Sequence, residues 1–231
     1  MPDWKFHIGV ADMVAKEVGI KNISEFRLGC LLPDAPWMSV EESVNLGIRD
    51  YSHVSRRIGG NFVLISDYLT WLQDHIWSVA HYELYKGYLC HLLLDYRINE
   101  MWILACQRDG MDRIEIMTRK NHGFYTVKKS AGVKWEETAY YAYQRFSYLN
   151  NAETPIIWSS VSEDTWDLVT SDFTVDSDDI PEMKQRITQV IVAEHDEPDI
   201  RTFSNEDYEA AINRAIGDCI HLFKLIDTNF K

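Results

Sequence analysis

Residues 86–96 read Lys86-Gly87-Tyr88-Leu89-Cys90-His91-Leu92-Leu93-Leu94-Asp95-Tyr96. The run is almost wholly apolar and has no proline, so it reads as a buried helix, extended over about 83–106. His91 and Asp95 stand four residues apart and therefore share one face. An apolar helix excludes a lone carboxylate, because an unpaired buried charge is very costly. Asp95 must be paired, protonated or bound to a metal. A hydrogen-bonded His–Asp pair in the core meets that demand as well as a ligand pair does. The rest of the chain has to decide.

Towards the N-terminus, residues 5–18 carry apolar side chains at helical spacing, with His7 in the first turn and Gly19 as the stop. Ser24 reads as the cap of a short helix over 25–31, and Pro33 as its breaker. In Leu32-Pro33-Asp34-Ala35-Pro36 two prolines bracket Asp34 and fix its direction, as a ligand or an ordinary turn residue, on what reads as an exposed turn. Residues 38–52 are polar, and His53 follows in Tyr51-Ser52-His53. A helix is expected over 61–81, with His75 and His81 near its end.

Towards the C-terminus, Arg108-Asp109-Gly110 should end the central helix. Further helices are expected over 135–149, 163–171, 181–194 and 205–227. Alternating strand patterns are few and repeats are absent, so the chain reads as all-α, one multi-helix domain over 1–231.

Composition narrows the function. The chain has 231 residues and a net charge of −13, which argues against nucleic-acid binding and against anionic membranes, both of which need clustered Lys and Arg. A phosphate substrate at a metal stays open, since the cation sets the local potential. No apolar run approaches the ~20 residues of a membrane span, and Met-Pro-Asp-Trp-Lys-Phe-His has no secretory core, so a cytoplasmic protein is expected. Cys30, Cys90, Cys106 and Cys219 are scattered, with no C-x-x-C pair, and read as free buried thiols.

The polar residues in apolar or rigid contexts of the first half are His7, Asp34, His53, His91 and Asp95. Imidazoles and carboxylates together suit zinc or a similar divalent ion. The segments HIGVADMVA at 7–15, FRLGCLLPDA at 26–35, the isolated His53 and GYLCHLLLD at 87–95 resemble, in this order, the zinc-dependent phospholipase C family. Single-strand-specific zinc nucleases share that architecture. The resemblance implies an all-α fold of the phospholipase C type with zinc held between helices. It implies that Asp34, His53, His91 and Asp95 surround one ion, and that His7 reaches a second, with Asp95 as a bridge. The secreted enzymes add a processed N-terminal Trp and two further histidines and a glutamate after the His–Asp pair. Here Trp4 is too close to His7 to copy that Trp, and 96–107 offers only Glu100, so one or two ions are expected, zinc or another divalent transition metal.

The expected function is a metal-dependent phosphoesterase acting on a small phosphorylated substrate through a metal-activated water, with Asp34 as proton acceptor or ligand. The alternative is a helical metal-binding or interaction protein without catalysis. The His195-Asp196 dipeptide, read as an HD-type phosphohydrolase signature, lies in a loop before Pro198 and carries less.

Overall fold

Helix α1, Trp4–Val18, buries Phe6, Val10, Ala11 and Val14 along one stripe. It stops where expected. Gly19 takes φ +70°, a left-handed conformation that glycine adopts without strain, and the Gly19 and Ile20 N–H groups both return to the Ala15 carbonyl. The computed structural model describes residues 4–37, 81–108, 156–173, 175–192 and 205–229. The expected helices over 61–81 and 135–149 therefore lie, apart from His81, outside the described residues, as do His53 and His195-Asp196.

Helix α2, Ile23–Leu31, begins two residues earlier than expected. Asn22, not Ser24, is the N-cap, and its side chain accepts from Glu25 N–H at 3.2 Å. Ser24 Oγ is taken up elsewhere, accepting from Ile157 N–H at 3.0 Å. A carboxylate from the next helix completes the cap: Glu83 accepts from Lys21 N–H at 2.6 Å and from Asn22 N–H. Pro33 does end the α-helix, but the chain keeps winding. Leu32–Trp37 is a tighter 3₁₀ turn that α2 enters directly through Leu32.

Helix α3, Tyr82–Arg108, is the long central element, and it crosses α2 at backbone contact. A Cβ on Gly29 would collide with the Leu84 carbonyl, and a Cβ on Gly87 with the Phe26 carbonyl. Both glycines are required by that approach.

Helix α4, Glu163–Asp172, is capped by Ser162, and Glu25 of α2 accepts from the Thr165 hydroxyl at 2.8 Å. Helix α5, Ile180–Val192, follows a 3₁₀ turn, Ser177–Asp179, and packs on α1. Helix α6, Asn205–Asn229, lies against α3 and α1. It is held to α3 by Arg97, which spans both oxygens of Asp218 at 2.7 and 3.0 Å, and by Lys86 and Tyr82, which meet Asp227 at 2.9 Å each. The Lys86 ammonium stands over the Tyr82 and Phe223 rings, 4.2 and 5.3 Å from their centroids.

Phe6, Phe26, Leu28, Leu84, Leu93 and Phe223 lie in the core between α1, α2, α3 and α6, and Phe173 closes it beside Tyr85 and Tyr88. The described residues form a compact bundle of six α-helices, with no strand among them. No described helix is long and apolar enough to cross a membrane.

Candidate metal centre

His7 sits on the buried stripe of α1, so the periodicity that places Phe6 and Val10 in the core also places an imidazole there. His91 and Asp95 project from one face of α3 towards it, as their spacing requires. Both imidazoles are wholly buried and stacked, with centroids 3.7 Å apart and planes within 4°. Asp95 addresses both rings: Oδ1 is 3.5 Å from His7 Nε2 and Oδ2 is 3.7 Å from His91 Nε2. His7, His91 and Asp95 each offer a donor atom, and these lie within 4.8 Å of one another, a spacing that could hold a metal ion.

The tight turn after α2 brings in Asp34, whose Oδ2 is 4.0 Å from His91 Nε2. Its environment differs from the expected one. The proline-bounded turn is not exposed: winding directly out of α2 tucks it against α3, and Asp34 is buried. Of the five expected ligands, His7, His91 and Asp95 form the cluster, Asp34 approaches only His91, and His53 lies outside the described residues. Glu100 does not join them, because Arg97 holds it at 2.9 Å. His81 is also elsewhere, buried beside the Thr165 hydroxyl at 3.1 Å.

The His91 ring is oriented from behind. Its Nδ1–H donates to the Cys30 carbonyl at 2.8 Å, which turns Nε2 towards Asp34 and Asp95. Nothing in the sequence marks this partner, because it is a backbone oxygen at the end of α2. His7 differs. Among the described residues neither of its ring nitrogens has a hydrogen-bond partner, although the ring has no exposed surface. A buried imidazole left this way is a standing cost that a bound cation would remove.

Three thiols lie behind the cluster. Cys90, between Cys30 and Cys219, is in hydrogen-bond contact with both. Burial, reinforced by the contact with Cys90, pushes the Cys30 and Cys219 thiols well above the usual range, so both remain protonated. Cys30 Sγ also donates to the His7 carbonyl at 3.5 Å.

The buried cluster of two imidazoles and the Asp95 carboxylate could hold a metal ion, with an orienting carbonyl behind one ring and Asp34 beside it. Compared with known proteins, the chain matches no family model, no curated protein and no solved structure.

Proposed function

We propose that the protein is a metal-dependent phosphoesterase that would hold one or two ions through His7, His91, Asp95 and Asp34, with His53 as a further ligand. The observation that carries this reading is the buried His7 ring, stacked on His91 and opposite Asp95, with both nitrogens lacking a hydrogen-bond partner among the described residues. The order of the motifs, which resembles the zinc-dependent phospholipases C, supports the same conclusion.

The donor set favours two neighbouring ion positions over one. Imidazole lone pairs lie in the ring plane, and planes within 4° of each other keep the two Nε2 lone pairs from converging on a point. Asp95 faces each ring with one oxygen, so it would hold an ion beside either imidazole. A bound divalent ion would supply an acidified water and positive charge for phosphoryl oxygens. The chain's own residues prepare that chemistry. Asp34 takes the proton, the Cys30 carbonyl holds His91 in the ligating tautomer, and burial strengthens each electrostatic contact. The substrate class is a small phosphorylated molecule.

One observation favours the alternative, a structural ion in a non-catalytic protein: both imidazoles are wholly buried. Asp34→Asn separates the two. Asparagine keeps an oxygen donor but accepts no proton, so turnover of a nitrophenyl phosphodiester should fall about 10²-fold or more while metal content changes little on the same preparation. Retained metal with unchanged turnover removes Asp34 from the chemistry. Wild-type protein that holds metal but turns over no phosphomonoester, diester or nucleotide supports the structural ion.

A further inference from the structure

The described part of the chain brings three buried cysteines from three helices to one place, Cys30 on α2, Cys90 on α3 and Cys219 on α6, with Cys90 in the middle. Ordinary packing explains each thiol singly. It does not explain why one of them contacts both histidine residues, His91 at its ring and His7 at its backbone. The Cys30 carbonyl accepts from His91 Nδ1–H at 2.8 Å, and the Cys30 thiol donates to the His7 carbonyl at 3.5 Å. Cys90 directly precedes His91 in the chain. From these contacts we infer that Cys30 and Cys90 form an oxidation-sensitive pair whose disulfide weakens ion binding at the His7/His91/Asp95 centre, a regulation that rests on the metal reading above.

The choice of Cys30 over Cys219 follows from the helix crossing. A disulfide requires closely approaching backbones, with Cα atoms about 4.4–6.8 Å apart. Helices α2 and α3 touch backbone to backbone at Gly29 and Gly87, and Cys30 N lies 2.9 Å from where a Gly87 Cβ would stand. Cys90 is one helical turn beyond Gly87 on the same helix. Cys219 reaches Cys90 across the α3–α6 contact, but no described hydrogen bond ties it to either imidazole.

The chemistry needs a two-electron oxidant, and a peroxide is the class named here. The Cys90 sulfur attacks one peroxide oxygen. The O–O bond breaks, the Cys90 thiol proton leaves with the departing oxygen as water, and Cys90 becomes a sulfenic acid. The Cys30 sulfur then attacks the Cys90 sulfur. The S–S bond forms, the S–O bond breaks, and the Cys30 proton leaves with hydroxide as a second water. The sulfurs are oxidised and the peroxide is reduced. Both thiols are buried, so the reaction proceeds through local opening of the bundle. In the product Cys30 has no S–H for the His7 carbonyl, and its sulfur is bonded to the residue beside His91. The backbone that presents the Cys30 carbonyl to the His91 ring and the contact to the His7 backbone shift together, and loss of a ring-orienting partner lowers metal affinity about 10–100-fold.

The test uses the full chain loaded with zinc, which is itself redox-inert. The protein is treated with hydrogen peroxide and then alkylated under denaturing conditions. Disulfides are mapped by peptide mass, and apparent zinc affinity is titrated on the same samples, also for Cys30→Ser and Cys219→Ser. The expected result is a Cys30–Cys90 disulfide, apparent zinc affinity lowered about 10–100-fold, and recovery of both with a dithiol reductant. Cys219→Ser should respond like the parent, and Cys30→Ser should keep its zinc affinity through the treatment. Free thiols at both positions after treatment, a Cys90–Cys219 disulfide in their place, or a Cys30–Cys90 disulfide with zinc affinity unchanged would each overturn the inference. If Cys30→Ser does not fold, the parent's disulfide map and affinity decide. Reduced protein that never takes up zinc overturns the metal reading and the regulation with it, while the map still reports on the pairing.

Discussion

At the scale of the residue, His7 and Asp95 make separable predictions. A buried polar group without a hydrogen bond costs about 1–3 kcal/mol, so the His7 ring, which has only the longer 3.5 Å approach of Asp95, weighs on the metal-free protein. His7→Phe replaces it with an apolar ring of similar shape. The variant should fold and should melt no lower than the parent in the presence of chelator, while zinc affinity falls by at least about tenfold. Calorimetry with and without metal checks both halves. A metal-free variant that melts well below the parent would show that His7 has a hydrogen-bonding role in the fold. Asp95→Ala should abolish the rise in melting temperature that added zinc produces, because it removes the carboxylate that faces both rings. The pair His91/Asp95 could be read from the sequence because helical spacing alone places both on one face. Asp34 could be read as a candidate, but its burial could not, since that depends on how the turn after α2 packs. The Cys30 carbonyl and the stacking of the two rings had no sequence signal, because a backbone acceptor and a ring–ring distance exist only once α1, α2 and α3 are assembled.

At the scale of the element, the α2–α3 crossing sets the tolerance of the chain to glycine replacement. A methyl group on Gly87 meets the Phe26 carbonyl and stands 2.9 Å from Cys30 N, and backbone cannot swing aside as a flexible side chain can. Gly87→Ala should therefore destabilise by about 3–5 kcal/mol, among the larger effects of single substitutions. Gly217 on α6 is exposed and a Cβ there meets nothing within 4 Å. Gly217→Ala should stabilise by about 0.5–1 kcal/mol through helix propensity. Urea midpoints of the two variants should move in opposite directions, and equal shifts would contradict the close crossing. Helix existence was readable throughout the described residues, because the apolar spacing of α1, α3 and α6 is long and regular. Helix starts were less so. Asn22 and Ser24 are both good capping residues, and the choice between them is made by Glu83, which arrives from another helix.

At the scale of the whole molecule, the candidate metal centre lies at one junction of a bundle whose large aromatic residues also meet at other junctions. Phe26 and Phe223 meet edge-on between α2 and α6, and Phe6 approaches Tyr208 between α1 and α6. Removing metal should leave that packing in place. Chelation should lower the melting temperature without changing helix content by circular dichroism. The loss corresponds to about 2.7 kcal/mol if free metal had stood at a hundred times its dissociation constant. Collapse of the helical signal on chelation would instead mean that the ion organises the bundle.

The two colliding glycines carry one more consequence, for ancestry. Gly29 and Gly87 lie in different sequence motifs, yet each is shaped by the backbone of the other's helix. They form one contact written twice, so substitutions at the two sites are not independent events. A descendant that accepts a side chain at either must shift the helices apart and lose the tight fit at both. Distant descendants that keep this crossing should therefore retain small residues at both positions together, even after the polar residues beside them have diverged.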